Sequence, residues 1–284
     1  MLSDMRNNKG INVETGITGL NIGAGKAHQQ LVRIRFGHAR GPPKLSAISH
    51  KIPIGCPGFD RMLRGGFTRG EVALIYGEAA TAKTTTVIQA AISSARQGLK
   101  VVYIDSDHSF TQQRFSQIAG GRSRDISELI TLFFPETFSE QRRIVESLEN
   151  YVTAKLGMVI VDSISSLYRA AFSGADSIFN LNRDLSRQVA YLGELASSHH
   201  IICIITSQVH SRLTPTAADI EPVARRTVFH FPRLILRIRN TPKPSVKEFI
   251  LERIDGTDTA KSSCLVGLQE NGLTDVGSNF RHGS

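Results

Sequence analysis

The sequence predicts an α/β fold: a mostly parallel central sheet with helices on both faces, followed by an antiparallel C-terminal extension. Three observations predict it. Apolar runs without alternation, such as Val101-Val102-Tyr103-Ile104 and Met158-Val159-Ile160-Val161, recur through the middle of the chain, and a strand apolar on both sides belongs in a sheet covered on both sides. Segments with helical apolar spacing separate those runs, which is the alternation a parallel sheet needs. The first of the runs leads through Gly77-Glu78-Ala79-Ala80-Thr81-Ala82-Lys83-Thr84-Thr85 into a helix-forming stretch. A loop of small residues ending in Lys-Thr at a helix start aims backbone N–H groups and the positive end of the helix dipole at an anion.

The elements follow in order. Residues 1–50 are Gly-rich and aperiodic, with Arg6, Lys9, Lys26, Arg33, Arg35, Arg40 and Lys44 against Asp4 and Glu14. They read as a flexible basic arm and linker ahead of a globular core over residues 51–284. Leu31–Phe36 is a short strand of alternating apolar and basic residues, and Gly41-Pro42-Pro43 breaks the chain. Gly23-Ala24-Gly25-Lys26 has the look of a phosphate loop, but no adequate strand precedes it and no helix pattern follows. Ile54–Phe67 is a turn, one short helix and a Gly-Gly stop. Strands follow at Glu71–Tyr76, Lys100–Asp105, Leu129–Phe134, Gly157–Val161 and Ile201–Thr206. Helices are expected at Thr84–Arg96, Thr111–Ala119, Phe138–Lys155 and Ser177–Ser198. Phe231–Arg239, Glu248–Ile254 and Ser263–Asp275 form the antiparallel tail, with turns at Pro242–Pro244 and Asn271-Gly272.

Composition narrows the class. With 40% hydrophobic and 21% charged residues, the 284-residue chain suits a globular protein. No apolar run reaches the ~18 residues of a membrane span, and Met1–Gly10 lacks the apolar centre of a signal peptide. The expectation is a cytoplasmic protein with no membrane partner. Cys56, Cys203 and Cys264 are far apart and form no Cys-x-x-Cys pair, so neither a disulfide framework nor a zinc site is expected. The formal net charge of +9 points to a polyanionic partner.

In an open α/β sheet, ligands gather at the carboxyl ends of the strands. The polar residues there are Gly77–Thr85, Asp105-Ser106-Asp107, Asp162-Ser163 and Ser207-Gln208. Together they make a set for ATP with Mg2+. Lys83 reaches the β- and γ-phosphates, and the Thr84 hydroxyl sits on Mg2+. Asp162 holds the same ion through water. Asp107 polarises the attacking water, and Gln208 senses the γ-phosphate.

These stretches in this order resemble the ATPase core of RecA/RadA-family recombinases, in particular the shorter archaeal RadA paralogues of RadB type. Ile54–Phe67 is similar to the family's Gly-x-x-x-Leu-Asp-x-x-Leu-Gly-Gly-Gly opening. Val102–Phe110 is similar to its Tyr-Ile-Asp-Thr-Glu-x-Thr-Phe stretch, which places Asp107 at the catalytic glutamate. Met158–Arg169 is similar to the Walker B segment and the start of the first DNA-binding loop. Thr206-Ser207-Gln208-Val209 is similar to Thr-Asn-Gln-Val ahead of the second such loop. The likeness runs from Ile52 to Asp275 and implies a P-loop NTPase of RecA type. It also implies Arg114 against the adenine.

Four departures accompany it. Ala82 stands where the family's loop has glycine, and Asp107 is one methylene shorter than glutamate. Thr257 and Ala260 stand where prolines are expected after Asp255, and no helix-hairpin-helix pattern is apparent. These imply a weak or regulatory ATPase.

Charge points independently to DNA. His210–Lys243 contains Arg212, Arg225, Arg226, Arg233, Arg237, Arg239 and Lys243 against Asp219 and Glu221, a stripe suited to phosphate contact. Arg212, Arg225 and Arg226 are the stronger DNA-binding candidates there, and Arg169 is one in the first loop. Phe229 and Phe231 are either base-stacking residues or the start of a core strand, with Arg237 and Arg239 on its exposed face. Phe36-Gly37-His38-Ala39 matches the Phe-x-x-Ala peptide by which family members dock on a neighbour's sheet edge, which makes Phe36 and Ala39 the oligomer-docking candidates. The resulting expectation is an ATP-dependent recombinase paralogue. It binds DNA, preferably single-stranded, in homologous recombination and repair, and pairs with a RadA-type recombinase or with itself. A nucleotide-binding regulatory protein without hydrolysis remains open, as does a KaiC-like signalling ATPase with no direct DNA role. KaiC-like chains usually carry paired glutamates after the second strand, which this sequence lacks.

Overall fold

The computed structural model describes residues 12–15, 32–35, 50–172, 178–211, 220–222 and 225–276. In chain order the strands are β1 (Asn12–Thr15), β2 (Val32–Arg35), β3 (Lys51–Ile52), β4 (Phe67–Thr68), β5 (Val72–Gly77), β6 (Lys100–Asp105), β7 (Ile130–Phe133), β8 (Leu156–Asp162), β9 (Ile202–Ser211), β10 (Ile220–Pro222), β11 (Leu234–Asn240), β12 (Val246–Ile254), β13 (Thr257–Gln269) and β14 (Gly272–Asp275). The helices are α1 (Pro57–Met62), α2 (Lys83–Arg96), α3 (Gln112–Ala119), α4 (Ser123–Ser127), α5 (Phe138–Glu146), α6 (Ser166–Phe172), α7 (Ile178–His199) and α8 (Arg225–Val228).

The large sheet runs β1-β2-β7-β6-β8-β9-β5-β11-β12-β13-β14, with β10 paired to β9. From β7 to β11 every pairing is parallel. The C-terminal pairings β11–β12, β12–β13 and β13–β14 are antiparallel, as expected. Within residues 1–50, β1 pairs with β2, and Val32 of β2 meets Leu132 of β7.

The parallel strands are buried on both sides, which is why they read as continuous apolar runs. β5 sends Ala73 and Ile75 into a core under α1, α2 and α3, and Val72, Leu74 and Tyr76 into a second core under α5 and α7. Register then aligns the strand ends: Gly77 lies beside Gln208, and Asp105 beside Asp162. The functional edge is therefore a product of strand pairing as much as of local sequence.

Two elements differ from expectation. The single helix expected over Phe138–Lys155 ends at Glu146 and continues as a short 3₁₀ turn over Leu148–Tyr151. The Ser147 side chain bonds back to the Ile144 carbonyl at 2.8 Å, and the β-branched Val152 and Thr153 disfavour further helix. The expected antiparallel strands of the tail are joined between β12 and β13 by a further tight turn, at Asp255 (φ 52°) and Gly256 (φ 80°), and β13 begins at Thr257 rather than Ser263. Asp-Gly supplies the two left-handed residues such a turn needs. No helix among the described residues is long and apolar enough to cross a membrane.

Candidate nucleotide site

The loop between β5 and α2 is shaped by contacts that a larger residue would break. A Cβ on Gly77 would lie 2.3 Å from the Ile238 carbonyl oxygen of β11, so glycine is required there by close approach. Ala82, the departure from the usual loop, holds the left-handed conformation at φ 74°, ψ 22°. Alanine thus takes the backbone shape glycine would take, at a cost of roughly 1–2 kcal/mol. Thr81 closes the turn onto the Glu78 carbonyl at 2.9 Å, and the Ala82 carbonyl accepts both the N–H and the hydroxyl of Thr86 at 2.9 Å. Ala79 and Ala80 are exposed within the loop, and Thr85 lies in the first turn of α2, partly buried.

Lys83 is the first residue of α2 and is buried. Its Nζ donates to the carbonyls of Gly77 at 2.9 Å and Glu78 at 2.6 Å, so the ammonium sits inside the curl of the loop. Burial pulls its pKa down, against the opposing pull of Asp162, Asp107 and Glu78. Thr84 follows, with its hydroxyl 3.3 Å from that of Ser109.

Asp162 ends β8, fully buried among hydroxyls. Tyr103 donates to its Oδ2 at 2.8 Å and Thr206 to its Oδ1. Burial raises its pKa, hydrogen bonds from Thr206, Tyr103 and Thr84 oppose that, and the charge of Asp107 adds to it. Asp105, at the end of β6, accepts the backbone N–H groups of Ser109 at 3.0 Å and Phe110 at 2.8 Å. Burial pushes its pKa up to about 6 despite those two donors. Asp105 thereby folds the 105–110 segment into a tight turn that presents Asp107 and brings Ser109 to Thr84. Asp107 is partly exposed and accepts from Gln208 Nε2 at 3.4 Å; Gln208 Oε1 in turn accepts from Arg169 at 2.6 Å.

This donor set fits a phosphate group with a hard cation. A buried ammonium and the start of the 14-residue helix α2 would face the anion. The oxygens of Thr84 and Asp162 are the ligand type Mg2+ takes, usually shared with substrate phosphates. Among the described residues no group of three or more His, Cys, Asp or Glu side chains is arranged for a metal ion.

The structure brings Lys83, Thr84, Asp107, Asp162 and Gln208 to one edge. Arg114 lies apart, on α3, where Thr111 caps the helix. Its guanidinium is spread over the carbonyls of Gln269 (3.0 Å) and Glu270 (2.8 Å) in the β13–β14 turn. Arg169 is exposed on α6, Phe172 at the end of the same helix is 51% exposed, and at the start of α7 Ile178 is 51% and Phe179 70% exposed. Phe229 is partly buried with its ring packed edge-on against Tyr76 at 5.3 Å, the core alternative of the two readings, whereas Phe231 is exposed. Arg212, Phe36 and Ala39 lie outside the described residues. Arg225 and Arg226 open α8, and their side chains also lie outside the description.

Sequence reasoning did not single out the roles of Tyr103, Thr206, Asp105 and Ser109. Tyr103 and Thr206 sit within apolar runs, and only strand register shows that their hydroxyls converge on Asp162.

Comparison with known proteins agrees with this geometry. The Rad51 family profile matches residues 46–276. The DNA repair and recombination protein RadB of Methanococcoides burtonii is 33% identical over 197 residues, covering 69% of this chain and 86% of that protein. Its namesake in Thermococcus gammatolerans is 36% identical over 205 residues, covering 71% and 89%. A solved structure described as a crystal structure of the RadB recombinase aligns with a TM-score of 0.67 at 31% identity, covering 79% of this chain and 99% of that one. With the family profile spanning nearly the whole core, the chain belongs to the Rad51 family.

Proposed function

We propose that this chain is an ATP- and Mg2+-dependent recombinase paralogue that acts on single-stranded DNA in homologous recombination and DNA repair. The carrying observation is the convergence of Lys83, Thr84, Asp107, Asp162 and Gln208 on one sheet edge, with Lys83 and Asp162 both buried. The relatives' names as DNA repair and recombination proteins support the biological reading. Bound Mg2+ would neutralise charge on the phosphate oxygens. Lys83 and the N–H groups of Gly77–Thr85 bind the phosphates, while the Thr84 hydroxyl would be a direct ligand to Mg2+ and Asp162 would hold the ion through water. Asp107 takes a proton from water, and Gln208 positions its amide at the terminal phosphate. The flat face of Arg114 serves the adenine.

The shorter reach of Asp107, relative to glutamate, supports a weak ATPase in an accessory role. Arg169, Arg212, Arg225 and Arg226 meet DNA phosphates, and the exposed Phe172 and Phe179 offer stacking faces for unpaired bases. Phe36 and Ala39 would dock on the sheet edge of a RadA-type recombinase or of a second copy.

The test is ATP binding and hydrolysis with and without oligo(dT), for the wild type and Lys83→Ala. Nucleotide binding lost in the variant and hydrolysis raised by oligo(dT) in the wild type are expected. Absence of wild-type nucleotide binding at millimolar ATP would sink the proposal.

A further inference from the structure

Asp107 and Asp162 come from the ends of two neighbouring strands, β6 and β8, and one buried side chain ties together the segments that follow both. Gln141, on α5, is fully buried. Its Oε1 accepts from the Ser106 hydroxyl at 2.8 Å, and its Nε2 donates to the Ile164 carbonyl at 3.2 Å and to Gln188 Oε1 at 2.9 Å. Ser106 directly precedes Asp107, and Ile164 lies two residues beyond Asp162. An amide has one donating end and one accepting end, and a backbone carbonyl can only accept. The Ile164 carbonyl therefore fixes the donating end of Gln141, and the accepting end is left to Ser106.

Ser106 is held on three sides. Its N–H donates to the Asp162 carbonyl at 2.8 Å, its carbonyl accepts from Ser166 Oγ at 3.3 Å, and its hydroxyl goes to Gln141. The first two bonds join the segments after β6 and β8 to each other, and the third anchors the Ser106 side chain on α5. With Ser106 drawn inward to 3% exposure, Asp107 is left on the open side, partly exposed.

Stability alone does not favour this arrangement. Gln141 and Gln188 are both fully buried, alongside the core that holds Val145, Ile164 and Leu185. Gln188 Nε2 has no partner among the described residues. A buried amide with an unpaired donor costs more than an apolar side chain of the same size. Packing α5 on α7 needs no polar pair there. Placing Asp107 does need a fixed geometry, since a misplacement of about 1 Å in a reacting group can cost on the order of 10²-fold in rate.

We propose that Gln141 is a positioning residue: by clamping Ser106 to Ile164 it fixes where the Asp107 carboxylate stands relative to Asp162, and so sets the rate of hydrolysis. The proposal rests on the ATPase reading above and involves no DNA. It adds to the machinery a side chain from a helix that carries none of the nucleotide-site residues.

The test uses the full chain as wild type, Gln141→Met, Ser106→Ala, Asp107→Asn, and the two doubles that combine each of the first two variants with Asp107→Asn. ATP binding is measured by isothermal titration, and hydrolysis of radiolabelled ATP in single turnover with protein in excess. Methionine keeps the length of glutamine and loses its hydrogen bonds, so the Gln141→Met rate constant should fall about tenfold with the Kd for ATP unchanged. Ser106→Ala, which removes one bond of the clamp, should fall about threefold. In the Asp107→Asn background neither change should lower the rate further, because the carboxylate they place is gone. General damage to the site would instead multiply with the Asp107→Asn loss.

If Gln141→Met binds ATP and hydrolyses it at the wild-type rate, the positioning role is wrong while the functional reading stands. A loss that is undiminished in the Asp107→Asn background overturns it equally. Should Gln141→Met fail to fold by circular dichroism, Ser106→Ala carries the same two outcomes. If the wild type binds no ATP, the functional reading and the positioning role fall together.

Discussion

Lys83 and Arg169 are both cations expected to meet phosphate, and their surroundings are opposite. Lys83 is buried, donates to two loop carbonyls, and has its pKa pulled down by desolvation against the charges of Asp162, Asp107 and Glu78. Arg169 stands in solvent with a neutral amide as partner. A group that folding has already desolvated interacts with phosphate in a low dielectric and needs no reorganisation at the moment of reaction. A solvent-exposed cation is screened by salt and works through counterion release. The nucleotide edge should therefore respond to substitution steeply and almost independently of salt, and the α6–α7 face gradually and with strong salt dependence.

Lys83→Ala should have the largest effect. It removes the buried ammonium and leaves the Gly77 and Glu78 carbonyls without it, and kcat/KM for ATP should fall by about 10³-fold or more. A smaller loss, recoverable with salt, would break the contrast with Arg169. Asp107→Asn should lower kcat by about 10²-fold with ATP affinity retained, because only the proton acceptor is lost. Isothermal titration alongside the rate assay separates binding from turnover.

Asp105 sharpens the comparison through stability. Its folded pKa of about 6 lies above that of an ordinary aspartate. Stability from its protonated form is therefore fully present below about pH 4 and is lost as pH rises through about 6. Against Asp105→Asn, the wild type should lose ~3 kcal/mol of unfolding free energy between about pH 4 and pH 7, measured without nucleotide by denaturant titration. A pH-independent difference between the two proteins would count against a buried, charged Asp105.

On the exposed face, Phe179→Ala should weaken oligo(dT) binding by about 2 kcal/mol if one base stacks on that ring. In fluorescence anisotropy the loss should persist at all salt concentrations, unlike that of an arginine variant, which would flatten the salt slope. The smallest effect is expected for Ala82→Gly. Glycine relieves the left-handed strain but loosens the unfolded chain, for a net gain near ~1 kcal/mol. Thermal unfolding at matched pH checks it, and a loss of stability would show that Ala82 contributes packing beyond its backbone shape.

Much of the fold could be read from residues because parallel strands and amphipathic helices announce themselves locally. The helix break at Ser147 escaped detection because apolar spacing at Ile144, Leu148 and Tyr151-Val152 continues through it, while a side-chain bond to the Ile144 carbonyl ends the helix. The Asp255-Gly256 turn has its signal in the Asp-Gly pair itself, whose two residues both adopt positive φ.

The phosphate loop, the strand-end Asp107, Asp162 and Gln208, and the likeness to recombinase ATPases were all visible in the linear chain, because each depends on a few adjacent residues with a fixed chemical task. Tertiary structure alone placed the Tyr103 and Thr206 hydroxyls on Asp162, set Ser109 against Thr84, turned the Arg114 fork onto the β13–β14 turn, and linked Arg169 through Gln208 to Asp107. Those contacts join residues as much as 156 positions apart. Their geometry comes from strand register and helix packing, which no short stretch of sequence encodes.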